Sequence, residues 1–330
     1  MRPSHRLAAL LSMLLFFAAC QKSPFTQSGM AEDHFYLRSG SQTLPVLVAG
    51  NMDSDKMLVI VHGGPGGDGI VYRDGFTQRL IEPTLPVVYW SQRFAGGSSG
   101  TGGASDIEQF RTDIRNLLLL LRSQYGAQRK IFLMGHSWGG FLVPYFLLEE
   151  SNADLVAGWI QVGGAHNYRL NDSLTREMLL FYADEELRAA RNTNFWQEAQ
   201  QWCSTHSFES DEDSYQLNLY AHEAETLMPD VSFPEEGFTS EPAPVIVHLL
   251  NSYASALRDI DAAAYTTPIS ENLYRIETPT LLLWGKYDFV CPAPLMLDIA
   301  ERIGSRDLQA HIFAQSGHSP MFNQPDEFWQ

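Results

Sequence analysis

The feature that most constrains the fold of this 330-residue chain is a serine between two glycines, at the junction of two apolar runs. The segment reads Gly135-His-Ser-Trp-Gly139. Residues 131–134 before it are β-like, and residues 141–148 after it suit a buried helix that Pro144 should distort. A sharp turn from strand to helix projects Ser137 into a cleft, and side chains on the two glycines would collide across that turn. The pattern predicts a covered sheet with Ser137 at the end of one strand, and a plain glycine-rich turn is the alternative.

Strand-like and helix-like stretches alternate along much of the chain. Helices are expected at about 106–123, capped by Ser105 or Asp106, and at 294–303. A hairpin is expected at 34–48. Further strands, several of them continuous apolar runs that suit a sheet covered on both faces, are expected at 57–61, 86–90, 155–162, 280–284 and 308–313. This alternation predicts an α/β fold with a mostly parallel, doubly wound sheet.

The alternation stops at about residue 167. Residues 167–272 are helical in pattern and acidic, and loop-like stretches that contain prolines interrupt them. We therefore expect a helical cap inserted into a sheet domain that is formed by residues 33–166 and 273–330.

The N-terminus predicts export. Two arginines precede an apolar run at 7–19, which is too short to span a bilayer but suits a signal peptide. The run ends in small residues before Cys20, as in a bacterial lipobox, so we expect residues 1–20 to be a signal, Cys20 to be lipidated and residues 21–32 to be a tether. This places an exported protein in the bacterial cell envelope or periplasm, with membrane contact through the lipid anchor only. A secretory signal cleaved after Ala19 and a buried first helix are the alternatives.

Composition narrows the range of partners. The formal net charge of −17 argues against nucleic acid, whose phosphates would be repelled, and against a polybasic contact with a membrane surface. It leaves open a small cationic substrate. Apart from Cys20 the chain has Cys203 and Cys291, which are either one disulfide or two buried thiols, and their long separation favours free thiols.

A reactive serine needs a histidine base, and that histidine needs a carboxylate to fix its tautomer. With a turn of this kind the chain order is serine, then Asp or Glu, then histidine, and the groups lie just beyond the carboxyl ends of strands. Asp288 and His318 meet both demands. The alternatives are a turn-capping role for Asp288 and an ordinary surface loop for His318. His311 is a weaker base candidate because it lies within a strand.

An oxyanion needs backbone donors that are already in place. After the strand at 57–61 comes His62-Gly-Gly-Pro-Gly-Gly-Asp68, where the glycines let the backbone approach a substrate oxygen closely. We assign the N–H groups of Gly64 and Trp138 as the donors. The competing interpretation, a phosphate-binding loop, lacks the required lysine and glycine spacing. No metal-ligand spacing is found, and no cofactor is expected.

Four segments together resemble the proline iminopeptidase branch of the α/β-hydrolase superfamily. They are His62-Gly-Gly-Pro-Gly-Gly67, Gly135-His-Ser-Trp-Gly-Gly140, Gly285-Lys-Tyr-Asp288 and Gly317-His-Ser319. The resemblance covers the sheet domain and implies hydrolysis of a peptide or amide bond after an N-terminal residue, often proline. It also implies Ser137, Asp288 and His318 as the catalytic triad.

The resemblance has departures. The family usually has D-Q-R-G-x-G-x-S where this chain has Ser91-Gln-Arg-Phe-Ala-Gly-Gly-Ser98, so Ser91 replaces an aspartate and Phe94 replaces a glycine. Family members bind the substrate α-amine through glutamates of the cap. Four glutamates are available here, and each is expected to lie on a solvated helix face: Glu185, Glu186, Glu223 and Glu225.

These observations predict an enzyme, a serine hydrolase that cleaves an N-terminal aminoacyl bond through an acyl-enzyme intermediate. Ser137 attacks the carbonyl, His318 takes and returns the proton, and Asp288 orients His318. The substrate is a small peptide, amide or ester. An esterase or lactonase, favoured by the altered loop at 91–98, and a lipoprotein that uses the fold only for binding are the alternatives.

Overall fold

The computed structural model describes residues 29–100, 106–206, 211–232 and 255–330, so the predicted signal peptide and Cys20 lie outside the described residues. Its strands are β1 (Met30–Ser39), β2 (Gln42–Asn51), β3 (Lys56–Val61), β4 (Val87–Trp90), β5 (Ser99–Gly100), β6 (Lys130–His136), β7 (Gly158–Val162), β8 (Thr280–Gly285) and β9 (Leu308–Phe313).

The α-helices are α1 (Gly75–Leu80), α2 (Ile107–Tyr125), α3 (Gly139–Leu147), α4 (Glu150–Ala153), α5 (Tyr168–Arg188), α6 (Thr193–Thr205), α7 (Asp211–Leu227), α8 (Ser255–Thr266), α9 (Pro294–Arg302), α10 (Pro320–Asn323) and α11 (Pro325–Phe328). Short 3-10 helices span Gly69–Tyr72 and Ser270–Arg275. Asp106, one of the two predicted cap residues, accepts a hydrogen bond from Glu108 N–H at the start of α2.

The strands form one sheet in the order β1-β2-β4-β3-β6-β7-β8-β9, with β5 paired to β2. From β4 to β9 every neighbouring pair is parallel, while β1 and β2 form an antiparallel hairpin at one edge. The predicted mostly parallel sheet is confirmed. The hairpin begins earlier than predicted, because Met30 pairs with Asn51, so residues 30–32 belong to β1 rather than to a tether.

Helices cover the sheet on both faces, as the continuous apolar strands require. Alternate residues of one strand enter different cores: Val59 packs into a large cluster with α2 and α3, whereas Leu58 and Ile60 pack into a smaller one on the opposite face. Both clusters lie beneath the carboxyl ends of the parallel strands. The loops that follow those strands are thereby anchored to a packed sheet.

Pro144 lies inside α3, which nevertheless continues to Leu147. Proline has no N–H, so it cannot donate to the carbonyl of Gly140 one turn earlier. The side chain of Gln161, buried in β7, donates to that carbonyl instead, with an N–O distance of 2.9 Å. A side chain of the neighbouring strand therefore satisfies the acceptor that Pro144 leaves free.

We expect Gln161→Leu to lower the free energy of unfolding by about 1–3 kcal/mol, because it leaves the Gly140 carbonyl buried without a donor. Gln309→Leu, on an exposed position of β9, is the matched control and should change stability by no more than about 0.5 kcal/mol. Urea denaturation measures both. A Gln161→Leu midpoint equal to that of the parent protein would contradict the assignment.

Helices α5 to α8 lie between β7 and β8, within the range predicted for the cap. Helix α5 starts directly after Asn167, whose side chain accepts a hydrogen bond from Leu170 N–H. Cys203 and Cys291 are buried, free thiols. Among the described residues, no helix is both long enough and apolar enough to cross a membrane.

Candidate active site

The polar groups singled out in the sequence lie in loops at one edge of the sheet. Ser137 directly follows β6, Asp288 follows β8, His318 follows β9, and the glycine-rich loop follows β3. These four strands are all in the parallel part of the sheet, so their carboxyl ends share one edge. That edge is where α/β folds bind and transform ligands.

Ser137 occupies a strained turn between β6 and α3. Its φ is +56°, a left-handed conformation that non-glycine residues seldom adopt, and its N–H donates to Val162 O over 3.1 Å. A Cβ on Gly139 would lie only 1.8 Å from the carbonyl oxygen of Val61, so β3 and α3 approach too closely for any side chain there. The turn leaves Ser137 partly exposed between buried neighbours.

Asp288 and His318 form a buried pair. Nδ1 of His318 lies 3.0 Å and 3.1 Å from the two carboxylate oxygens of Asp288. Burial lowers the pKa of His318, which keeps its ring neutral and able to accept a proton. Burial raises the pKa of Asp288, whereas N–H donation from Cys291 favours the ionised carboxylate.

The turn at Ser137 lies against this pair. A Cβ added to Gly163, the residue after the Val162 carbonyl that holds Ser137 N–H, would be 2.7 Å from Asp288 Oδ2 and 3.2 Å from His318 Nδ1. The ring of His136, next to Ser137 in the chain, lies 4.7 Å from the ring of His318. The structure thus brings the three predicted triad residues to one place, and their catalytic roles stay predictions.

The backbone around Gly63 distinguishes between the possible oxyanion donors. Gly63 N–H already donates to the hydroxyl of Tyr72 over 3.0 Å. Within the described part of the chain, the N–H groups of Gly64 and Trp138 donate to no other group. The two predicted donors are therefore free to bind a substrate oxygen.

Gln92 connects the glycine-rich loop to the serine turn. Its backbone N–H donates to His62 Nε2 over 3.0 Å, so the ring proton of neutral His62 is on Nδ1, which donates to Gly63 O. The side-chain amide of Gln92 donates to His62 O, and its oxygen accepts from the indole N–H of Trp138. Gln92 therefore joins the carbonyl of His62 to the indole of Trp138, the residue after Ser137.

The two departures in that loop have structural counterparts. The hydroxyl of Ser91 donates to a carboxylate oxygen of Asp68 over 2.8 Å, so a carboxylate from the glycine-rich loop lies beside the position where an aspartate was expected. Phe94 has a φ of +59°, a conformation that the family glycine adopts freely. The partly buried Phe94 side chain packs against the large core cluster.

The prediction that Glu225 lies on a solvated face is wrong. Only 9% of Glu225 is exposed, and its Oε1 accepts a hydrogen bond from His318 N–H over 2.8 Å. Its Oε2 is buried with no hydrogen-bond partner among the described residues. Burial and the charge of Asp288 raise the pKa of Glu225 to about 8. The cause is tertiary, because Ala221 and Ala224 bury one face of α7 in the core and Glu225 lies against the loop that carries His318, where a Cβ on Gly317 would be 1.9 Å from its Oε1.

The end of α7 and the chain that follows it contact the loops that carry Asp288 and His318. Asp230 accepts from the hydroxyl of Tyr287, the residue before Asp288. Ser232 N–H donates to Gln315 O, and Ser232 O accepts from the side chain of Asn323. We call residues 225–232 the brace, because they hold the loops of Asp288 and His318 together.

The remaining candidates are exposed or form ion pairs with other residues. Glu186 is buried, contrary to the prediction, and pairs with Arg191, while Glu185 and Glu223 are exposed as predicted. His311 is an exposed strand residue that pairs with Glu327. No group of three or more His, Cys, Asp or Glu side chains within the described ranges is arranged to hold a metal ion.

Comparison with known proteins supports the fold and the general chemistry. Two relatives align along most of the chain. A probable aminopeptidase, YbaC of Bacillus subtilis (strain 168), is 21% identical over 88% of this chain and 92% of its own. A proline iminopeptidase of Saccharolobus solfataricus is 25% identical, with 83% of each chain covered.

Similarity in structure extends to esterases. The esterase EaEST of Exiguobacterium antarcticum superposes with a TM-score of 0.57 at 19% identity, over 92% of this chain and 97% of its own. At that identity the likeness concerns the fold alone. The sequence model of the alpha/beta hydrolase fold matches residues 56–325. Since this match spans most of the protein, the chain belongs to the α/β-hydrolase family.

Proposed function

We propose that this protein is a serine hydrolase that releases the N-terminal residue of small peptides or amides. Ser137 attacks the scissile carbonyl while His318 accepts its proton, and Asp288 holds the Nδ1–H tautomer of His318. The N–H groups of Gly64 and Trp138 stabilise the oxyanion of the tetrahedral intermediate. His318 then protonates the leaving amine, and water hydrolyses the acyl-enzyme by the same steps in reverse.

One observation carries the preference for an N-terminal residue. Glu225 brings a buried carboxylate oxygen without a partner beside His318. A buried carboxylate is costly unless it meets a cation or a donor. The ammonium group of a substrate with a free N-terminus supplies both, and it lies one bond from the α-carbon and two from the carbonyl that Ser137 attacks. In the family that the sequence resembles, glutamates of the cap bind the substrate α-amine.

We expect Glu225→Gln to lower kcat/KM for proline p-nitroanilide at least about 30-fold, as removal of one member of a buried ion pair costs about 2 kcal/mol or more. The N-acetylated substrate has no ammonium, so its slower hydrolysis should be unchanged. Glu223→Gln, an exposed position two residues earlier on α7, is the matched control. If kcat/KM falls equally for both substrates in Glu225→Gln, Glu225 has a structural role and does not bind the ammonium.

The pH dependence gives a further prediction. With its pKa at about 8, Glu225 becomes ionised as pH rises through that value, and a substrate ammonium pairs only with the ionised form. The ammonium itself loses its proton near pH 8. The kcat/KM for free-amine substrates should therefore rise toward about pH 8 and then fall. The increase in kcat/KM below pH 8 should disappear in Glu225→Gln. If the increase persists in this variant, the ionisation of another group causes it.

The alternative, an esterase or lactonase, is favoured by the loop with Ser91 and Phe94, which differs from the family pattern beside the site. Rates with proline p-nitroanilide and with p-nitrophenyl acetate separate the two functions. A much larger kcat/KM for the ester, unaffected by Glu225→Gln, would favour the esterase. No labelling of Ser137 by a fluorophosphonate would favour a binding lipoprotein.

We also propose that the protein is exported and lipidated at Cys20. The support is the sequence alone: a short apolar run with preceding arginines and small residues before Cys20. Mass spectrometry of the mature protein tests it. An unmodified N-terminus at or after Cys20 would reject lipidation.

A further inference from the structure

Two buried side chains outside the predicted triad connect its parts. Tyr72 lies in the 3-10 helix after the glycine-rich loop, and His136 is the last residue of β6, directly before Ser137. The Tyr72 hydroxyl lies 2.6 Å from His136 Nδ1 and accepts the N–H of Gly63. On the other side of the ring, His136 Nε2 lies 3.0 Å from the backbone oxygen of His318.

The chemistry of these groups sets the direction of each hydrogen bond. The oxygen of His318 can only accept, so Nε2 of His136 carries the proton. Burial holds the pKa of His136 well below its usual range, so the ring is neutral and its Nδ1 has a lone pair. The hydroxyl of Tyr72 therefore donates to Nδ1, and its oxygen accepts from Gly63 N–H. The chain runs without a break from Gly63 to the backbone of His318.

This chain acts on the groups that do the chemistry. Tyr72 holds the N–H of Gly63, and His62 holds its carbonyl. Because a peptide unit is planar and trans, the direction of Gly63 C=O also sets the opposite direction of Gly64 N–H, the predicted oxyanion donor. A Cβ on Gly63 would be 3.1 Å from Ser137 Cβ, so this loop packs directly against the nucleophile.

We propose that Tyr72 and His136 are positioning residues that hold the oxyanion loop at a fixed place relative to His318, with the turn of Ser137 between them. The inference rests on the proposed serine hydrolase function. Each residue acts through another group, Tyr72 through the N–H of Gly63 and His136 through the backbone oxygen of His318. We call the hydrogen-bonded chain from Gly63 through Tyr72 and His136 to the backbone of His318 the bridge. It matters most when negative charge develops on the substrate oxygen, because the Gly64 donor has to be in place at that moment.

Tyr72→Phe removes one oxygen and keeps the ring. We expect kcat for p-nitrophenyl acetate, and the maximal rate of fluorophosphonate labelling of Ser137, to fall about tenfold or more, with KM within about twofold, because a misdirected oxyanion donor affects the transition state rather than binding. Tyr89→Phe is the matched control. It removes a buried hydroxyl that donates to Glu82 in the same core cluster, and its kcat should not change.

His136→Asn tests the other half of the bridge. The asparagine Oδ1 replaces Nδ1 as an acceptor for Tyr72, while no atom replaces Nε2 as a donor to His318. We again expect about a tenfold fall in kcat. Thermal melting of each variant is compared with that of Tyr89→Phe. A fall in kcat without a matching fall in melting temperature is then not caused by unfolding.

Two results would overturn the inference. One is a kcat for Tyr72→Phe within twofold of the parent protein, or equal to that of Tyr89→Phe. The other is a ¹⁵N spectrum in which neutral His136 carries its proton on Nδ1. The spectrum is independent of activity. If the parent protein neither hydrolyses the ester nor reacts with the fluorophosphonate, the proposed function fails, and the tautomer of His136 alone decides whether the bridge exists.

Discussion

Ser137→Ala is expected to lower kcat by roughly 10⁶-fold and to abolish labelling by a fluorophosphonate, because the alanine has no atom that can form the acyl-enzyme. The change removes one oxygen from a partly exposed position, so stability should be nearly unaffected. Kinetics with p-nitrophenyl acetate and proline p-nitroanilide measure the loss. Hydrolysis at the parent rate by this variant would reject the whole proposed mechanism.

Ser123→Ala serves as the control for this experiment. Ser123 is an exposed residue near the end of α2, and its removal should leave both labelling and turnover unchanged. Labelling that persists in Ser137→Ala but is lost in another serine variant would place the reactive hydroxyl elsewhere.

Asp288→Asn is expected to lower kcat by about 10⁴-fold. The carboxylate accepts from His318 Nδ1, whereas an asparagine amide can present N–H to the same atom. In that case the proton of His318 moves to Nε2, and the ring can no longer accept the proton of Ser137. The variant keeps the size of the side chain, so folding should be preserved. Circular dichroism tests the preserved fold, and kcat tests the loss of activity.

Asp307→Asn, on an exposed position before β9, should behave like the parent protein. A loss of less than about tenfold for Asp288→Asn would mean that another group sets the tautomer of His318. Glu225 is the nearest alternative, because its carboxylate also lies at the His318 loop.

Local patterns were sufficient to predict the sheet and the positions of the predicted triad. The serine turn is recognisable in the short segment 135–139. A side chain on Gly135 would clash with nearby Gly139, whereas one on Gly139 would clash with Val61 of β3, a contact that the segment alone does not reveal. Asp288 and His318 could be chosen because each follows a strand that the apolar pattern identified. In a parallel sheet this alone brings their loops to a common edge.

Contacts between distant segments could not be predicted in the same way. Glu225 lies 93 residues from the His318 N–H that it accepts, and its helix has no pattern that distinguishes it from the exposed Glu223. Only the buried spacing of Leu217, Ala221 and Ala224 hints that it lies next to a packed face. Tyr72 and His136 are 64 residues apart, and nothing in either segment indicates the other.

The departures in the loop at 91–98 show a related limit. Substitution of the expected aspartate by Ser91 suggests a lost carboxylate when that segment is considered alone. The three-dimensional arrangement supplies one from Asp68, 23 residues earlier in the chain. A missing residue in a motif is therefore best judged after its spatial neighbours are known.

The brace at 225–232 has a consequence for how proteins of this architecture could be recombined. An inserted segment that merely covered a site could be exchanged for another without harm to the chemistry. Here the insertion also supplies the acceptor for His318 N–H and a partner for Tyr287. A chimera that carries a foreign insertion would keep its serine turn intact and still lose turnover, unless native residues 225–232 were kept or the graft brought matching groups of its own.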